Sequence, residues 1–257
     1  MDVVMLAGGI PQPEDPLYPF TKGKPKALVD VGGKAMIQWV LDALNGAKSV
    51  GDIILVGLEN LKGITSRKPI HPVPNQGGMF ENIKAGTEKL SALNPEAKYF
   101  LMCSSDIPAI SADMVEWVIK KAKESDYDLY FNVVERETME KRFPGANRTF
   151  AKLRGAEVCG ADMGVLRAKT VTHNEELWIR LAAARKSVLK QAALIGFDTL
   201  LMFLFRTMNL EQAARQGSKR VGIKARAIIS PYAELAMDVD KPHQLEILIE
   251  DRRQSLL

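Results

Sequence analysis

The sequence predicts an α/β protein: a mostly parallel sheet sandwiched between helices. Two patterns and one bulk property lead there. Apolar runs of strand length alternate with stretches of helical period through the first half of the chain. The first and third of those runs end in small residues, the way a strand gives onto a loop at the top of a sheet. The 257 residues are 46% apolar and 26% charged, so the core can be large without a disulfide or metal staple.

The elements follow in order. Residues 3–6, 53–56, 99–103 and 129–134 read as strands. Residues 35–47, 79–93 and 112–124 read as helices between them. Ser111 is placed to cap the third helix, with Met114, Val115, Val118 and Ile119 as its apolar stripe. The pattern changes after residue 134. Residues 149–153 and 165–166 suggest short strands around an Arg154-Gly-Ala156 turn. Residues 174–216 are almost wholly helical in pattern, as 175–184, 185–193, 197–205 and 210–216. Strand returns at 220–229, and an amphipathic helix at 243–253. Without repeats or low-complexity linkers, the simplest account is one domain over 1–257 with a helical insertion at 174–216.

Composition excludes several classes. A net charge of +4, from 35 basic and 31 acidic residues, permits an anionic substrate. No dense Lys/Arg stripe points to nucleic acid. Cys103 and Cys159 lie in apolar surroundings and read as buried free thiols of a reducing cytoplasm. Asp2 stands where a signal peptide would carry positive charge. The apolar segment 192–205 contains Gly196 and Asp198, and falls short of the roughly 20 residues a membrane span needs. His71, His173 and His243 share no zinc-ligand spacing, and the hydrolase elbow G-x-S-x-G is absent.

Four constellations carry chemistry. In the first, a short apolar strand runs into Leu6-Ala7-Gly8-Gly9, where bare backbone N–H groups can wrap a polyphosphate. A plain β-to-α turn is the alternative. Neither the dinucleotide fingerprint nor the Walker loop is present. Pro25 fixes the approach of Lys26, which makes it a placed cation. Lys22 and Lys24 are more ordinary loop lysines. In the second, the strand before Ser104-Ser105-Asp106-Ile-Pro108 delivers an acid to the carboxyl end of the sheet, where it is placed to hold Mg2+. A turn aspartate is the bland reading. The third, Pro74-Asn-Gln-Gly77-Gly78-Met-Phe-Glu-Asn82, is a glycine turn opening a helix. Asn82 lies four residues beyond Gly78 and could read a base. The fourth is Asp238-Val-Asp240-Lys-Pro242. Asp238 suits the metal and Asp240 suits the cap of the last helix. A basic run from Arg142 through Arg148 and Lys152 to Arg154 is either a clamp for an acceptor phosphate or a solvated hairpin.

Together these constellations resemble the MobA-like nucleotidyltransferases. That superfamily includes the molybdenum-cofactor guanylyl- and cytidylyltransferases, the methylerythritol-phosphate cytidylyltransferase and the sugar-nucleotide pyrophosphorylases. The matching positions are Leu6–Gly9, Pro25-Lys26, Gly77-Gly78 with Asn82, Asp106, and Asp238-Val-Asp240. The resemblance covers the chain except the helical stretch. It looks closest to a bacterial subgroup that shares the segment from Arg142-Phe-Pro144 to Arg148-Thr149. Two departures stand out. The loop from Ile10 to Thr21 lacks the arginine many relatives carry, which leaves its role to Lys22 or Lys24. The subgroup's Gly-Gly-Asn is here Gly160-Ala161-Asp162, which either bears on acceptor choice or is simply tolerated.

The resemblance implies a Rossmann-like fold of the glycosyltransferase-A, or nucleotide-diphospho-sugar transferase, type. It implies an enzyme that moves an NMP group from an NTP to a phosphorylated small-molecule acceptor and releases pyrophosphate. Lys26, Asp106 and Asp238 would be catalytic, with Mg2+ on the two aspartates. Leu6, Ala7, Gly8, Gly9, Lys26, Gly77, Gly78 and Asn82 would bind the nucleotide. An NDP-sugar glycosyltransferase is the main rival, although it usually carries Asp-x-Asp where this chain has Ser104-Ser105-Asp106. A non-catalytic nucleotide-binding module is the other. The helical stretch reads first as core, and otherwise as an acceptor lid or a homodimer surface.

Overall fold

The computed structural model describes residues 1–173 and 207–255. Ten strands and eight α-helices lie among them. In chain order the strands are β1 (Val3–Leu6), β2 (Asp30–Val31), β3 (Lys34–Ala35), β4 (Ile53–Val56), β5 (Ile70–Val73), β6 (Tyr99–Ser104), β7 (Leu129–Glu135), β8 (Ala151–Leu153), β9 (Ala156–Arg167) and β10 (Ala225–Ile229). The helices are α1 (Tyr18–Thr21), α2 (Met36–Gly46), α3 (Met79–Leu93), α4 (Ala112–Ala122), α5 (Arg136–Arg142), α6 (Ala168–His173), α7 (Leu210–Val221) and α8 (Pro242–Gln254).

One sheet of eight strands organises the molecule, in the order β10-β7-β9-β6-β1-β4-β5, with β8 paired to β9. The β1–β4, β1–β6, β4–β5 and β7–β10 pairs are parallel, whereas β9 runs antiparallel to β6, β7 and β8. Period-two alternation sorts the strands' apolar residues to two faces. Val3, Met5, Ile53, Leu55, Leu101 and Cys103 pack under α2 and α4 with Val40, Leu41, Leu44, Val115, Val118 and Ile119. Val4, Ile54, Val56 and Phe100 face the opposite side, under α3 and α6 with Ile83, Leu90 and Val171. Both faces are covered, as the near-continuous apolar runs of β1, β4 and β6 require.

The sequence placed β1, β4 and α3 at the ends observed, and the other early elements within two residues. It missed β5, whose Pro72 marks an edge strand; β5 does close one edge of the sheet. It also missed the β2–β3 hairpin, which turns on Gly32 and Gly33, both at positive φ. Residues 165–166 belong to a strand of twelve residues. Strand was expected from residue 220, but α7 runs to Val221 and ends at Gly222 in the left-handed conformation. The strand therefore begins only at Ala225. Ser111 stands at the α4 N-cap position without a side-chain cap bond. The expected helices at 175–184, 185–193 and 197–205 lie outside the described residues; 210–216 is helical. Cys103 and Cys159 are buried free thiols. Among the described residues no helix is long and apolar enough to cross a membrane.

Gly86 shows how closely α3 lies on the sheet. A Cβ there would come within 2.5 Å of Val4 and 2.9 Å of Val56. Alanine gains about 1 kcal/mol of helix propensity over glycine, but overpacking against two stiff strand valines costs about 1–3 kcal/mol. Gly86→Ala should therefore destabilise by roughly 1 kcal/mol, seen as a lower urea midpoint at unchanged m-value.

Candidate functional site

The chain runs from β1 to β4 and β5 on one side, then returns to β6 on the other side of β1. That makes the carboxyl ends of β1 and β6 a switch point, where the outgoing loops splay apart and leave a crevice. A cleft of about 400 Å³ opens there. It is lined by Leu6–Gly9, Lys26, Asn75, Gly77, Gly78, Asn82, Asp106, Asp162, Asp238 and Asp240, among others. All ten site residues expected from the sequence line this one cleft.

Its glycine wall is built by backbone. Ala7 N–H donates to the Val56 carbonyl at 2.8 Å, which carries β1 pairing one step past the strand. Gly57 then lies against Gly8: a Cβ on Gly57 would sit 2.3 Å from the Gly8 Cα, and its φ is +94°. Only glycine fits both demands. Asn75 Nδ2 donates to the Gly8 carbonyl at 3.0 Å, and Asn75 Oδ1 accepts from Gly77 N–H at 3.0 Å. Asn82 is buried, donates to Asn75 Oδ1 at 3.1 Å and accepts from Gln76 N–H at 2.7 Å. The structure thus engages Asn82, expected as a base reader, in tying the second glycine turn to the first. Sequence reading passed over Gly57 entirely, and Asn75 was quoted without a role.

Lys26 arrives by a backbone contact. Its N–H donates to the Gly9 carbonyl at 2.8 Å, so the loop between them closes on itself and sets Lys26 beside the glycine turn. Its Nζ lies 2.5 Å from Asp106 Oδ2 and 3.1 Å from Asp240 Oδ1. Burial disfavours its charge, but Asp106 and Asp240 outweigh that and hold its pKa well above the ordinary lysine value. Lys22 and Lys24 are exposed and do not line the cleft.

The acids converge from three chain segments. Asp106 follows β6, and its Oδ1 accepts from Ser104 Oγ at 2.5 Å. Val239 N–H donates to the Asp106 carbonyl at 3.1 Å, which fixes the 238–240 segment across from it. Oxygens of Asp106, Asp238 and Asp240 lie within 4.8 Å of one another. The expected cap role of Asp240 is corrected. Lys241 is the N-cap of α8, Gln244 Oε1 accepts from both Asp240 and Lys241 N–H, and the Asp240 carboxylate is on Lys26. Asp162, on β9, is the fourth acid of the cleft.

The basic run resolves residue by residue. Arg142 pairs with Glu234 at 2.7 Å and Asp251 at 2.6 Å, bracing α5 to α8 away from the cleft. Lys152 and Arg154 are exposed. Arg148 alone reaches the site, where it pairs with Asp238; its Nε is buried without a partner.

Four carboxylates thus face two cations, an excess of two negative charges when all are ionised. Burial, then the neighbouring acids, push Asp162 up to about 7 and Asp238 up to about 8, with Arg148 opposing. Asp240 goes the other way: burial opposes its charge, but Lys26 holds its pKa below the ordinary value. Oxygen donors gathered at this charge suit a hard divalent cation.

A family model described as "MobA-like NTP transferase domain" matches residues 4–168. No curated protein matches the chain. Among solved structures, a hypothetical transferase from Thermus thermophilus is 31% identical, with a TM-score of 0.81 over 95% of this chain and 98% of that one. A CMP:2-keto-3-deoxy-manno-octonic acid synthetase complexed with CTP aligns at 13% identity and TM-score 0.62, over 98% of both chains. A 4-diphosphocytidyl-2C-methyl-D-erythritol synthase from Anaerococcus prevotii aligns at 12% and 0.57, over 98% of this chain and 97% of that one. The last two likenesses show the fold, a nucleotide-diphospho-sugar transferase sandwich.

The raised pKa values fix the sign of a pH dependence. A carboxyl whose pKa is higher folded than unfolded contributes stability that is complete below its unfolded pKa, near 4, and is lost as pH rises through the folded value. In EDTA, the Tm should therefore fall between pH 5 and 8.5 more than surface charge alone requires. Asp162→Asn should flatten that fall, as checked by melting curves at matched ionic strength.

Proposed function

Because the chain belongs to the MobA-like NTP transferase family, we propose that it moves an NMP group from an NTP to a phosphorylated small-molecule acceptor, with release of pyrophosphate and with Mg2+ as its metal. The observation that carries this reading is the convergence of a glycine turn, a placed lysine and a three-carboxylate cluster on one cleft.

Asp106, Asp238 and Asp240 all offer oxygen, the donor set Mg2+ prefers, and would hold it between them. Bound there, Mg2+ would supply Lewis-acid stabilisation of charge on the phosphate oxygens. The backbone of Leu6, Ala7, Gly8 and Gly9 would carry the triphosphate, against Gly77 and Gly78 on the facing turn. Asn75 and Asn82 hold those turns in register, so their part is positioning. Lys26 would stabilise charge that builds on the α-phosphate as the acceptor attacks. A phosphorylated acceptor already presents an ionised oxygen at neutral pH, so positioning and electrostatics suffice without a strong base. Consistent with that, no histidine lines the cleft among the described residues.

With the right acceptor and Mg2+, pyrophosphate should accumulate and free nucleoside diphosphate should not. The opposite product would indicate NDP-sugar glycosyl transfer. Asp106→Asn should lose pyrophosphate release by on the order of 10²-fold or more with an unchanged circular-dichroism spectrum; full turnover in that variant would sink the assignment. A thermal-shift comparison of the four NTPs identifies the base, since a ligand at 100 times its Kd stabilises by about 2.7 kcal/mol.

A further inference from the structure

Each of the three carboxylates that could ligate metal already has an oxygen taken by a cation of the protein. Lys26 Nζ occupies Asp106 Oδ2 and Asp240 Oδ1, and Arg148 occupies Asp238 Oδ1. The other Asp106 oxygen accepts from Ser104. A magnesium ion binds carboxylate oxygens at about 2.0–2.1 Å, so it competes directly for the atoms these cations hold. It also repels them at close range.

We infer that Lys26 and Arg148 are resident counter-ions of the metal site, which keep its carboxylates occupied until an anionic substrate draws them away, so that divalent metal enters with the substrate rather than ahead of it. The inference rests on the metal-dependent reading above.

Two displaced cations need two anions. Among the described residues, Asp162 is the one further carboxylate that lines the cleft. It can take one of them, and an anionic substrate must take the other. Lys26 lines the cleft and is placed for such a handover, and Arg148 reaches the cleft through Asp238. Lys26 is fixed by its backbone beside the Gly8-Gly9 turn, where a polyphosphate would lie. Arg148 has a buried Nε without a partner, so its donor fork is only partly used in the pair with Asp238. A guanidinium in that condition gains from any anion that engages both arms. Metal and anion therefore each improve the other's binding, a reciprocal coupling.

The test is calorimetric titration of Mn2+ into the metal-free full-length chain, with no nucleotide present. Lys26→Met should bind Mn2+ roughly tenfold more tightly than wild type, because the competitor for two oxygens is gone. Lys24→Met removes an equal charge from the same loop without touching the carboxylates, and should stay within about twofold of wild type. Arg148→Met should move in the same direction as Lys26→Met. Lys26→Met decides the matter if loss of Arg148 leaves Asp238 too exposed to its neighbours for the chain to fold. A second readout is the shift in Tm. Mn2+ alone should stabilise Lys26→Met more than wild type; with inorganic tripolyphosphate added, wild type should gain more, since its lysine then has phosphate to pair with. Equal Mn2+ affinity in wild type and Lys26→Met, an equal gain in Lys24→Met, or no reversal with tripolyphosphate overturns the inference and leaves the nucleotidyl-transfer reading standing. Absence of Mn2+ binding in every variant overturns it together with the metal-dependent reading.

Discussion

Four carboxylates cannot share one end of a sheet unless cations stand between them, and the architecture of this protein around its cleft follows from that constraint. Asp106, Asp162, Asp238 and Asp240 come from β6, β9 and the segment before α8. Brought together without neutralisation they would repel strongly at low local dielectric. Lys26 and Arg148 supply the neutralisation, and each is delivered by a different device. Lys26 is delivered by a backbone bond to Gly9, and Arg148 by the segment between α5 and β8. The pairs balance the charge only in part. Burial first, and then the acids left unbalanced, raise the pKa values of Asp162 and Asp238.

The sheet determines where this happens. β1 and β6 are parallel neighbours whose continuations leave in different directions, so the space beyond Leu6 and Ser104 is open to loops. Short main-chain bonds then place the chemistry: Ser105 N–H to the Leu6 carbonyl at 3.0 Å, Lys26 N–H to Gly9, and Val239 N–H to Asp106. Each joins residues distant in sequence through groups that every residue but proline possesses. The side chains of the cleft are therefore carried on main-chain contacts that only substitution of the donor by proline removes directly.

That division explains what the sequence disclosed. Strands and helices with strong apolar period were legible because burial dictates the period, and β1, β4 and α3 came out at their observed ends. The glycine turns, Lys26, Asp106 and Asp238 were legible because glycine, proline and acid at strand ends are local signals. Pairings were not. Nothing near Asp240 says that its carboxylate will meet a lysine 214 residues away, so its nearness to Pro242 suggested a cap instead. Arg142 and Arg148 look alike in the chain, yet one braces two helices and the other enters the site. Gly57 gave no signal, since its need for glycine arises only from contact with Gly8.

The two departures from the family pattern can be read in the same physical terms. The loop from Ile10 to Thr21 lacks an arginine, and the lysines just beyond it, Lys22 and Lys24, are exposed and outside the cleft. Positive charge at the site comes from Lys26 and from Arg148. Where the subgroup resemblance expects an asparagine, Asp162 adds a fourth carboxylate to the cleft. Arg148 lies in the segment shared with that subgroup, so the aspartate is not offset by a new arginine. The added carboxylate instead deepens the negative character of the cleft, which bears it by raising the pKa of Asp162 and Asp238, first through burial and then through the neighbouring acids.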